Sequence, residues 1–402
     1  MRVSRPVVAI VVAGTVARLV VALLSDGQPF DMGSFRIVQR DLAAHGIDAY
    51  RYVNLGNYHW PYPPGYFPWV ALSGALVDAG GHAFTVLIRL PSIAADAALA
   101  LVVQHYVGLR GASERVRGIA AALIAFGPLV AIVSGYQGQI DAVAILPAAV
   151  ALLVWERMDG ARRALLAGVL IGAGGALKTV PLLMLLPLLP SARSWREAGV
   201  LCVSAVAVPL AAIAPFLVAQ YDVTEAAIRT YHGYPGQGGV TLVLQPELAK
   251  SWLFGNDAQP LHLNALVRRL VDNAQLVNGA IYAAVAAVLF RYRPAPAVGA
   301  TILWLATYAL APAFFFQYLV WGIPFFVMAG YLRATALLQA AVLVPAVLFY
   351  AGTWKADWPP YVFVPIMLAT WIGMLLALAA LARGLAARRS ASDLGSPAAV
   401  SL

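Results

Sequence analysis

The chain has 402 residues, of which 61% are apolar and only 11% are charged. An average soluble domain is about 45–50% apolar and about 25% charged, so this chain has too few polar residues to cover a water-exposed surface of its size. The composition excludes a soluble enzyme, a disordered scaffold and a secreted disulfide-linked module, and it predicts an integral membrane protein. The single cysteine, Cys202, lies in an apolar run and cannot form an internal disulfide.

The net charge of +9 comes almost entirely from arginine, because only three of the 27 basic residues are lysines. Many of the arginines form short clusters between apolar runs, which is typical of the cytoplasmic loops of membrane proteins. We therefore expect the lipid bilayer, and no nucleic acid, as a partner of this chain. The clusters are Arg2/Arg5, Arg110/Arg115/Arg117, Arg157/Arg162/Arg163, Arg193/Arg196, Arg291/Arg293, Arg333 and Arg383/Arg388/Arg389.

Apolar segments recur along the whole chain. A membrane-spanning helix needs about 20 apolar residues, and long continuous runs contradict the alternating pattern of a membrane β-barrel. The predicted fold is therefore all-α, a polytopic integral membrane protein with about 11–13 transmembrane helices. The candidate segments are residues 7–24, 66–80, 84–109, 118–134, 140–155, 164–177, 180–191, 198–218, 274–290, 296–313, 316–332, 334–350 and 361–382.

The arginine clusters also predict an orientation. They all face the cytoplasm only if residues 66–109 cross the membrane a net odd number of times. We expect residues 66–80 to be re-entrant or interfacial, with both termini inside; the alternative is that one basic loop breaks the rule. The external side then carries a first loop at 25–65 and a long loop at 219–263. We predict one transmembrane domain over residues 1–382 and a disordered cytoplasmic tail over 383–402.

The first external loop contains a carboxylate, Asp31, directly before an amphipathic stretch. Such a stretch is typical of a helix that lies in the membrane interface. A carboxylate on a short tether there is able to reach a lipid head group and act as a general base. The alternative is that Asp31 only caps this helix. The apolar residues of the stretch are Phe35, Val38 and Leu42, and the polar ones are Arg36, Gln39 and Arg40.

The end of the same loop, residues 50–69, is rich in aromatic residues and proline. It has the composition of an aromatic belt at the membrane surface, held extended by its prolines. A second interpretation is a rim on which sugar rings or isoprenoid tails stack.

Three polar residues lie in a short glycine-containing turn between two apolar helices. The turn runs from Gly135 to Asp141 and brings two amides and a carboxylate into one small space: Gln137, Gln139 and Asp141. A charge at the centre of a membrane costs about 2.5–3.5 kcal/mol on insertion scales. We therefore favour a functional role over a solvated turn.

Lys178 follows the glycine-rich run 168–175 and ends a helix before Pro181. A lone ammonium at this point suits an anionic ligand such as a phosphate, and the alternative is a lysine that snorkels at a helix end. Arg89 and Asp96 are seven residues apart within one apolar segment, and we expect them to pair with each other.

The long loop at 219–263 contains His232 and Gln237. A contact of His232 with phosphate or acceptor is one interpretation, although a lone loop histidine more often has no such role. The nearby glycines follow no strand and lack a G-K-[ST] ending, so they do not form a nucleotide loop. No H-E-x-x-H motif or Cys/His cluster is present, and we expect no metal site and no cofactor.

Taken together, these residues resemble the C-type, multi-spanning glycosyltransferase superfamily, and within it the bacterial polyprenol-phosphate-mannose-dependent mannosyltransferases. Four ordered features carry the resemblance: Asp31 after the first span, Tyr-Pro-Pro-Gly at 62–65, Gly-Gln-Ile-Asp at 138–141, and the glycine-rich helix that ends at Lys178 and Pro181. The segment 316–324, which contains Tyr318, fits the same pattern.

The resemblance implies inverting transfer of a sugar, with mannose favoured, from a polyprenyl-phosphate donor to a hydroxyl of a glycolipid or cell-envelope glycan. The reaction is expected on the external face of the bacterial inner membrane, with Asp31 as the base. The alternative is a transporter or lipid flippase, but the chain shows none of the mirrored broken helices common in secondary transporters. The residues implied in binding the donor are Arg36, Arg40, Gln137, Gln139, Asp141, Lys178, His232, Gln237 and Tyr318.

Overall fold

The structure is a computed structural model that describes residues 3–55, 60–229, 231, 233–253, 262–350 and 358–393. Within these ranges the regular secondary structure is helical and contains no strand, which confirms the all-α prediction. The helices of the first half are α1 Arg5–Leu24, α2 Pro29–His45, α3 Ala49–Val53, α4 Phe67–Leu76, α5 His82–Leu109, α6 Glu114–Ala125, α7 Pro128–Ala131, α8 Asp141–Arg157, α9 Gly160–Leu177, α10 Leu185–Leu188 and α11 Trp195–Arg229.

The second half continues with mostly long helices. They are α12 Gly239–Leu244, α13 Leu248–Leu253, α14 Ala265–Asp272, α15 Ala274–Tyr292, α16 Pro296–Leu310, α17 Leu319–Met328, α18 Leu332–Tyr350 and α19 Pro359–Asp393. A π-helical segment, Ile132–Gln137, follows α7. Short 3-10 turns lie at Gly46–Asp48, Pro64–Tyr66, Val180–Met184, Leu189–Ser191 and Phe316–Tyr318.

Every predicted apolar segment contains a helix, and the polytopic membrane fold is confirmed. In the described part of the chain, seven helices are long and apolar enough to cross a membrane: α1, α5, α9, α11, α15, α18 and α19. The pair Glu114–Ala125 and Pro128–Gln137, bent by 42°, makes an eighth if it is one span. The predicted 11–13 spans also included shorter apolar helices, such as Pro296–Leu310 and Phe316–Met328.

Helix α4 is too short to cross the membrane. Its ten residues extend about 15 Å at 1.5 Å per residue, whereas the hydrocarbon core is about 30 Å thick. It packs against α2 and α5. The segment 66–80 therefore does not span, which agrees with a re-entrant or interfacial position.

Helix α2 starts at Pro29, within the first external loop, where an interfacial helix was expected. Two other helix boundaries differ from the expected loops. Helix α11 bends at Gln220 and continues to Arg229, and α12 and α13 also fall inside the loop predicted at 219–263. Helix α19 runs to Asp393, so residues 383–393 are helical rather than disordered. Alanine, leucine and arginine are strong helix formers, and they dominate this extension.

The chain forms two compact units. The first comprises Met1–Leu185, Ala192–Tyr231 and Ile323–Gln339, and the second comprises Leu186–Ser191, His232–Gly322 and Ala340–Leu402. In the first unit, α9 packs between α8 and α11. In the second, α16 packs against α15 and α19. The single domain over 1–382 stays a prediction.

The glycine-rich run of α9 is explained by this packing. A Cβ at Gly172 would lie 2.7 Å from the Ala205 carbonyl oxygen of α11, and one at Gly174 would overlap the Ala144 carbonyl of α8. Both neighbours are backbone atoms, which cannot move aside cheaply. The absence of side chains therefore lets three helices approach closely just before Lys178.

Candidate functional site

Asp31 lies in the first turn of α2, and another residue caps that helix. The Asp31 N–H donates to the Gln28 side-chain oxygen at 2.7 Å, so the interpretation that Asp31 only caps the helix is wrong. Its neighbours Met32, Phe35 and Val38 belong to the apolar core of the first unit. This packing holds α2 in place, and Asp31 itself is only 8% exposed.

The end of the π-helical segment and the turn after it present two amides to this carboxylate. Gln137 Nε2 donates to Asp31 Oδ2 at 3.1 Å, and Gln139 Nε2 donates to Asp31 Oδ1. Gly138 makes this possible with a left-handed φ of +82°. A Cβ at Gly138 would overlap the Met32 methyl group and lie 2.9 Å from Arg89 Cγ. The turn thus packs directly onto α2.

Arg89 fixes the same turn from its other side. Its guanidinium donates to the Gly135 carbonyl at 3.2 Å and to the Ala22 and Ser25 carbonyls, at the end of α1, at 2.9 Å and 2.6 Å. It therefore satisfies carbonyls that the last turn of a helix leaves without intrahelical partners.

The predicted pairing of Arg89 with Asp96 is wrong. Asp96 instead pairs with Arg18 of α1 at 3.1 Å, and both side chains are buried. Residues seven apart on a helix share a face but are separated by about 10 Å along its axis. Helix α1 therefore offers each side chain a nearer partner: Arg18 for Asp96, and the carbonyls at its end for Arg89.

Lys178 and Asp141 form a buried ion pair beside the two amides. Lys178 Nζ donates to Asp141 Oδ1 at 2.6 Å and to Gln139 Oε1 at 3.1 Å. It also lies 4.4 Å from the centroid of the Tyr62 ring. Lys178 is 2% exposed and Asp141 is fully buried. A continuous chain of hydrogen bonds therefore runs from Asp141 through Lys178 and Gln139 to Asp31.

The Tyr-Pro-Pro-Gly segment brings Tyr62 to this lysine. A Cβ at Gly65 would lie 2.7 Å from the Ala176 carbonyl carbon, near the end of α9. Only glycine permits so close an approach of the two backbones. The Tyr62 carbonyl also accepts a hydrogen bond from the Tyr50 hydroxyl at 2.6 Å. The segment is therefore held against the helix end from which Lys178 projects.

Burial sets the protonation behaviour of Asp31, which lies outside the apolar spans. Burial raises the pKa of Asp31 to about 6, whereas the hydrogen bonds from Gln137 and Gln139 and the charge of Lys178 lower it. The carboxylate is therefore ionised at neutral pH. A base with a pKa closer to neutrality accepts a proton more readily than an ordinary aspartate.

This arrangement of one buried carboxylate, two amide donors and an ion pair in an all-helical membrane protein agrees with a comparison at the sequence level. The sequence model of Glycosyltransferase family 87 matches residues 60–311, which is more than half of the chain. The chain belongs to glycosyltransferase family 87. This is a multi-spanning family of the C type, so the resemblance to the C-type glycosyltransferase superfamily is confirmed. No curated protein matches the chain.

Membership of family 87 makes the protein a membrane glycosyltransferase. The matched region contains Gln137, Gln139, Asp141 and Lys178, while Asp31 precedes it. Asp31 is therefore placed in the candidate site by the hydrogen bonds that connect it to those four residues, and not by the family match.

The other predicted site residues have contacts of their own. Arg36 donates to the Ala79 carbonyl at 3.1 Å, and Arg40, with a side chain 66% exposed, pairs with Asp41 at 2.7 Å. Gln237 and Tyr318 belong to the second unit. There Gln237 is buried, and the Tyr318 ring stacks on Trp321 with centroids 4.2 Å apart. His232 lies outside the described residues.

Sequence reasoning missed the roles of Arg18 and Arg89. Both were visible as cations within apolar segments, which is a signal that a buried partner exists. The identity of that partner depends on how the helices pack.

Within the described ranges, no three or more His, Cys, Asp or Glu side chains are grouped so as to hold a metal ion. The expectation that the enzyme uses no metal or cofactor stays a prediction.

Proposed function

We propose that this glycosyltransferase moves mannose from a polyprenyl-phosphate donor to an acceptor hydroxyl on a glycolipid or cell-envelope glycan, at the external face of a bacterial inner membrane. Asp31 is the catalytic base. The observation that carries the proposal is the setting of Asp31, a buried carboxylate that accepts hydrogen bonds from Gln137 and Gln139. Its raised pKa suits proton abstraction near neutral pH.

The proposed reaction is a single displacement. Asp31 accepts the proton of the acceptor hydroxyl, and that oxygen attacks C1 of the sugar from the face opposite the phosphate. The bond between C1 and the phosphate oxygen breaks, and its electron pair leaves with polyprenyl phosphate. A β-linked donor therefore gives an α-glycoside. One base and no second nucleophile are sufficient for this inversion.

The external location is supported by the distribution of charge. The arginine clusters predict a cytoplasmic side, and Asp31 follows the first span, which begins just after the cluster Arg2/Arg5. Nucleotide sugars are cytoplasmic, so an external transferase needs a lipid-linked donor. A polyprenyl phosphate meets this need, because its tail remains in the bilayer that the apolar helices occupy.

The leaving phosphate gains charge in the transition state and requires a cation. Arg36 and Arg40 follow Asp31 on the same helix, and their side chains are partly or largely exposed. Arg36 and Arg40 remain proposed contacts to the donor phosphate. Gln237, Tyr318 and His232 remain proposed contacts to the donor or acceptor.

The test is a transfer assay on the purified full-length protein in lipid nanodiscs. Radiolabelled polyprenyl-phosphate mannose is supplied with a bacterial lipid extract, and the labelled product and its anomeric configuration are identified. We expect Asp31→Asn to lower the transfer rate by at least about 10²-fold, the lower end of general-base contributions. Asp48→Asn, on an exposed residue close in sequence, is the matched control and should retain activity.

Three outcomes would contradict parts of the proposal. Full activity of Asp31→Asn would remove Asp31 as the base. Retention of configuration at C1 would exclude a single displacement. Movement of labelled donor across a vesicle membrane with no glycosylated product would instead favour the flippase hypothesis.

A further inference from the structure

Lys178 does not need a ligand to satisfy its ammonium group. The ammonium already donates to Asp141 and Gln139 and lies over the Tyr62 ring. Removing ions from water is costly, and a buried pair is weak evidence for stability alone. Its connection to Asp31 suggests a role in placing that carboxylate.

The ammonium determines which way the Gln139 amide points. A lysine ammonium only donates hydrogen bonds, whereas a glutamine amide has an accepting oxygen at one end and a donating nitrogen at the other. Because Lys178 occupies the side of Oε1, the Nε2 group must face Asp31. This orientation supplies a donor to the carboxylate, and the reverse orientation would place two acceptors against each other.

Asp141 also balances the charge of the lysine. With Lys178 positive and Asp141 negative, the pair is neutral as seen from Asp31. Without Asp141, the lysine charge would stabilise the Asp31 carboxylate and make it a weaker base. Without Lys178, the Asp141 charge would act alone on Asp31 and have the opposite effect.

We propose that Asp141 and Lys178 are positioning residues for the base rather than ligands of the donor. Asp141 holds the Lys178 ammonium, and the ammonium orients the Gln139 amide so that it donates to Asp31. This inference rests on the proposed function of Asp31. It predicts that the two charges control the pH at which the enzyme loses activity on the acid side.

Other titratable groups around α2 are bound elsewhere or exposed. Arg89 and Tyr66 donate to backbone carbonyls, as does Tyr50. Lys178 and Asp141 are the charged groups that act on the pKa of Asp31. Further titratable groups on α2 and on the segments beside it are Asp26, Arg36, Arg40, Asp41, His45, Asp48, Arg51, Tyr52, Asp78, His82 and Tyr136.

The experiment measures how kcat/KM for the polyprenyl-phosphate sugar depends on pH, between about pH 5 and about pH 9, because this profile reports the pKa of the essential base. The acid limb of this profile is the range in which activity falls as the pH is lowered. We expect Asp141→Asn to shift this limb down by about one pH unit and Lys178→Met to shift it up by about one pH unit. The double variant has the native charge balance, so its limb should return close to the native position. Its rate should stay about 10-fold low, because the amide is no longer oriented.

A merely structural role predicts a different result. Glu197→Gln breaks another buried ion pair of the same unit, Arg163–Glu197, and should lower the melting temperature without moving the acid limb. Melting curves of all variants identify those that fold. If a single variant does not fold, the double variant still tests the orientation of the Gln139 amide. It should show a lower rate while its acid limb stays at the native pH.

Two outcomes would overturn the inference. One is an acid limb that stays in place in both folded single variants while Asp31→Asn is inactive. The other is a higher KM for the lipid donor in Lys178→Met with an unmoved limb, which would make Lys178 a phosphate ligand. Full activity of Asp31→Asn would instead overturn the proposed function itself, so the two failures are distinguishable.

Discussion

The most direct test of the site geometry is Gly138→Ala, a change of one methyl group outside the reacting residues. Gly138 lies between the two glutamines that donate to Asp31 and has a φ of +82°. An added Cβ would overlap the Met32 methyl group and lie 2.9 Å from Arg89 Cγ. The turn must then move away from α2, and the amides must move with it.

The expected cost has two parts. A left-handed conformation costs a residue other than glycine about 1–2 kcal/mol, and overpacking of a filled site adds about 1–3 kcal/mol. Gly111 isolates the first part, because it has a φ of +81° and a Cβ added there would meet no atom within 4 Å. Gly111→Ala should therefore cost about 1–2 kcal/mol and leave activity intact.

The assay compares the melting temperature and the transfer rate of the two alanine variants in nanodiscs. We expect Gly138→Ala to melt below Gly111→Ala and to lose roughly 10²-fold in rate, as a displacement of about 1 Å at a reacting group can cause. Met32→Ala combined with Gly138→Ala removes the overlapping methyl group and should recover part of both losses. Equal melting temperatures and equal rates for the two single variants would refute the reasoning.

Two other predictions concern stability. Arg89→Met should lower the melting temperature more than Arg110→Met. The first change leaves carbonyls at the end of α1 without donors, whereas Arg110 is half-exposed. Equal shifts in melting temperature would contradict this role of Arg89. The folded state raises the pKa of Asp31 from 3.8 to about 6, so it binds this proton more tightly than the unfolded chain does. The ionised carboxylate therefore costs up to about 3 kcal/mol of stability above pH 6, and this cost is lost as the pH falls towards 4. Asp31→Asn should thus melt above the native protein at pH 8, with the gap about halved near pH 5 and closed near pH 4. A gap that stays constant with pH would contradict this prediction.

Much of the helical framework was predictable from the sequence. Continuous apolar runs form helices because a membrane leaves each backbone group to be satisfied within its own segment. Residues 66–80 were expected not to span, and α4 is indeed only ten residues long. The number of full spans was less predictable, since several apolar helices, such as Pro296–Leu310, are shorter than a full span.

The members of the site were visible in the sequence because polar residues are costly in an apolar chain. Asp31, Gln137, Gln139, Asp141 and Lys178 were all selected for this reason, and the structure joins them in one hydrogen-bonded cluster. Their cost predicts that each has a buried partner, but it does not identify the partner.

Partner choice required the tertiary structure. Asp141, which the resemblance implied in donor binding, pairs with Lys178. Asp96 pairs with Arg18 rather than with Arg89. These partners lie on different helices, and sequence spacing fixes distances only within one helix. The sequence by itself therefore determined a helical membrane protein and the identity of its costly polar residues. The packing of the helices decided which of those residues meet, because a buried charge takes the nearest partner in space.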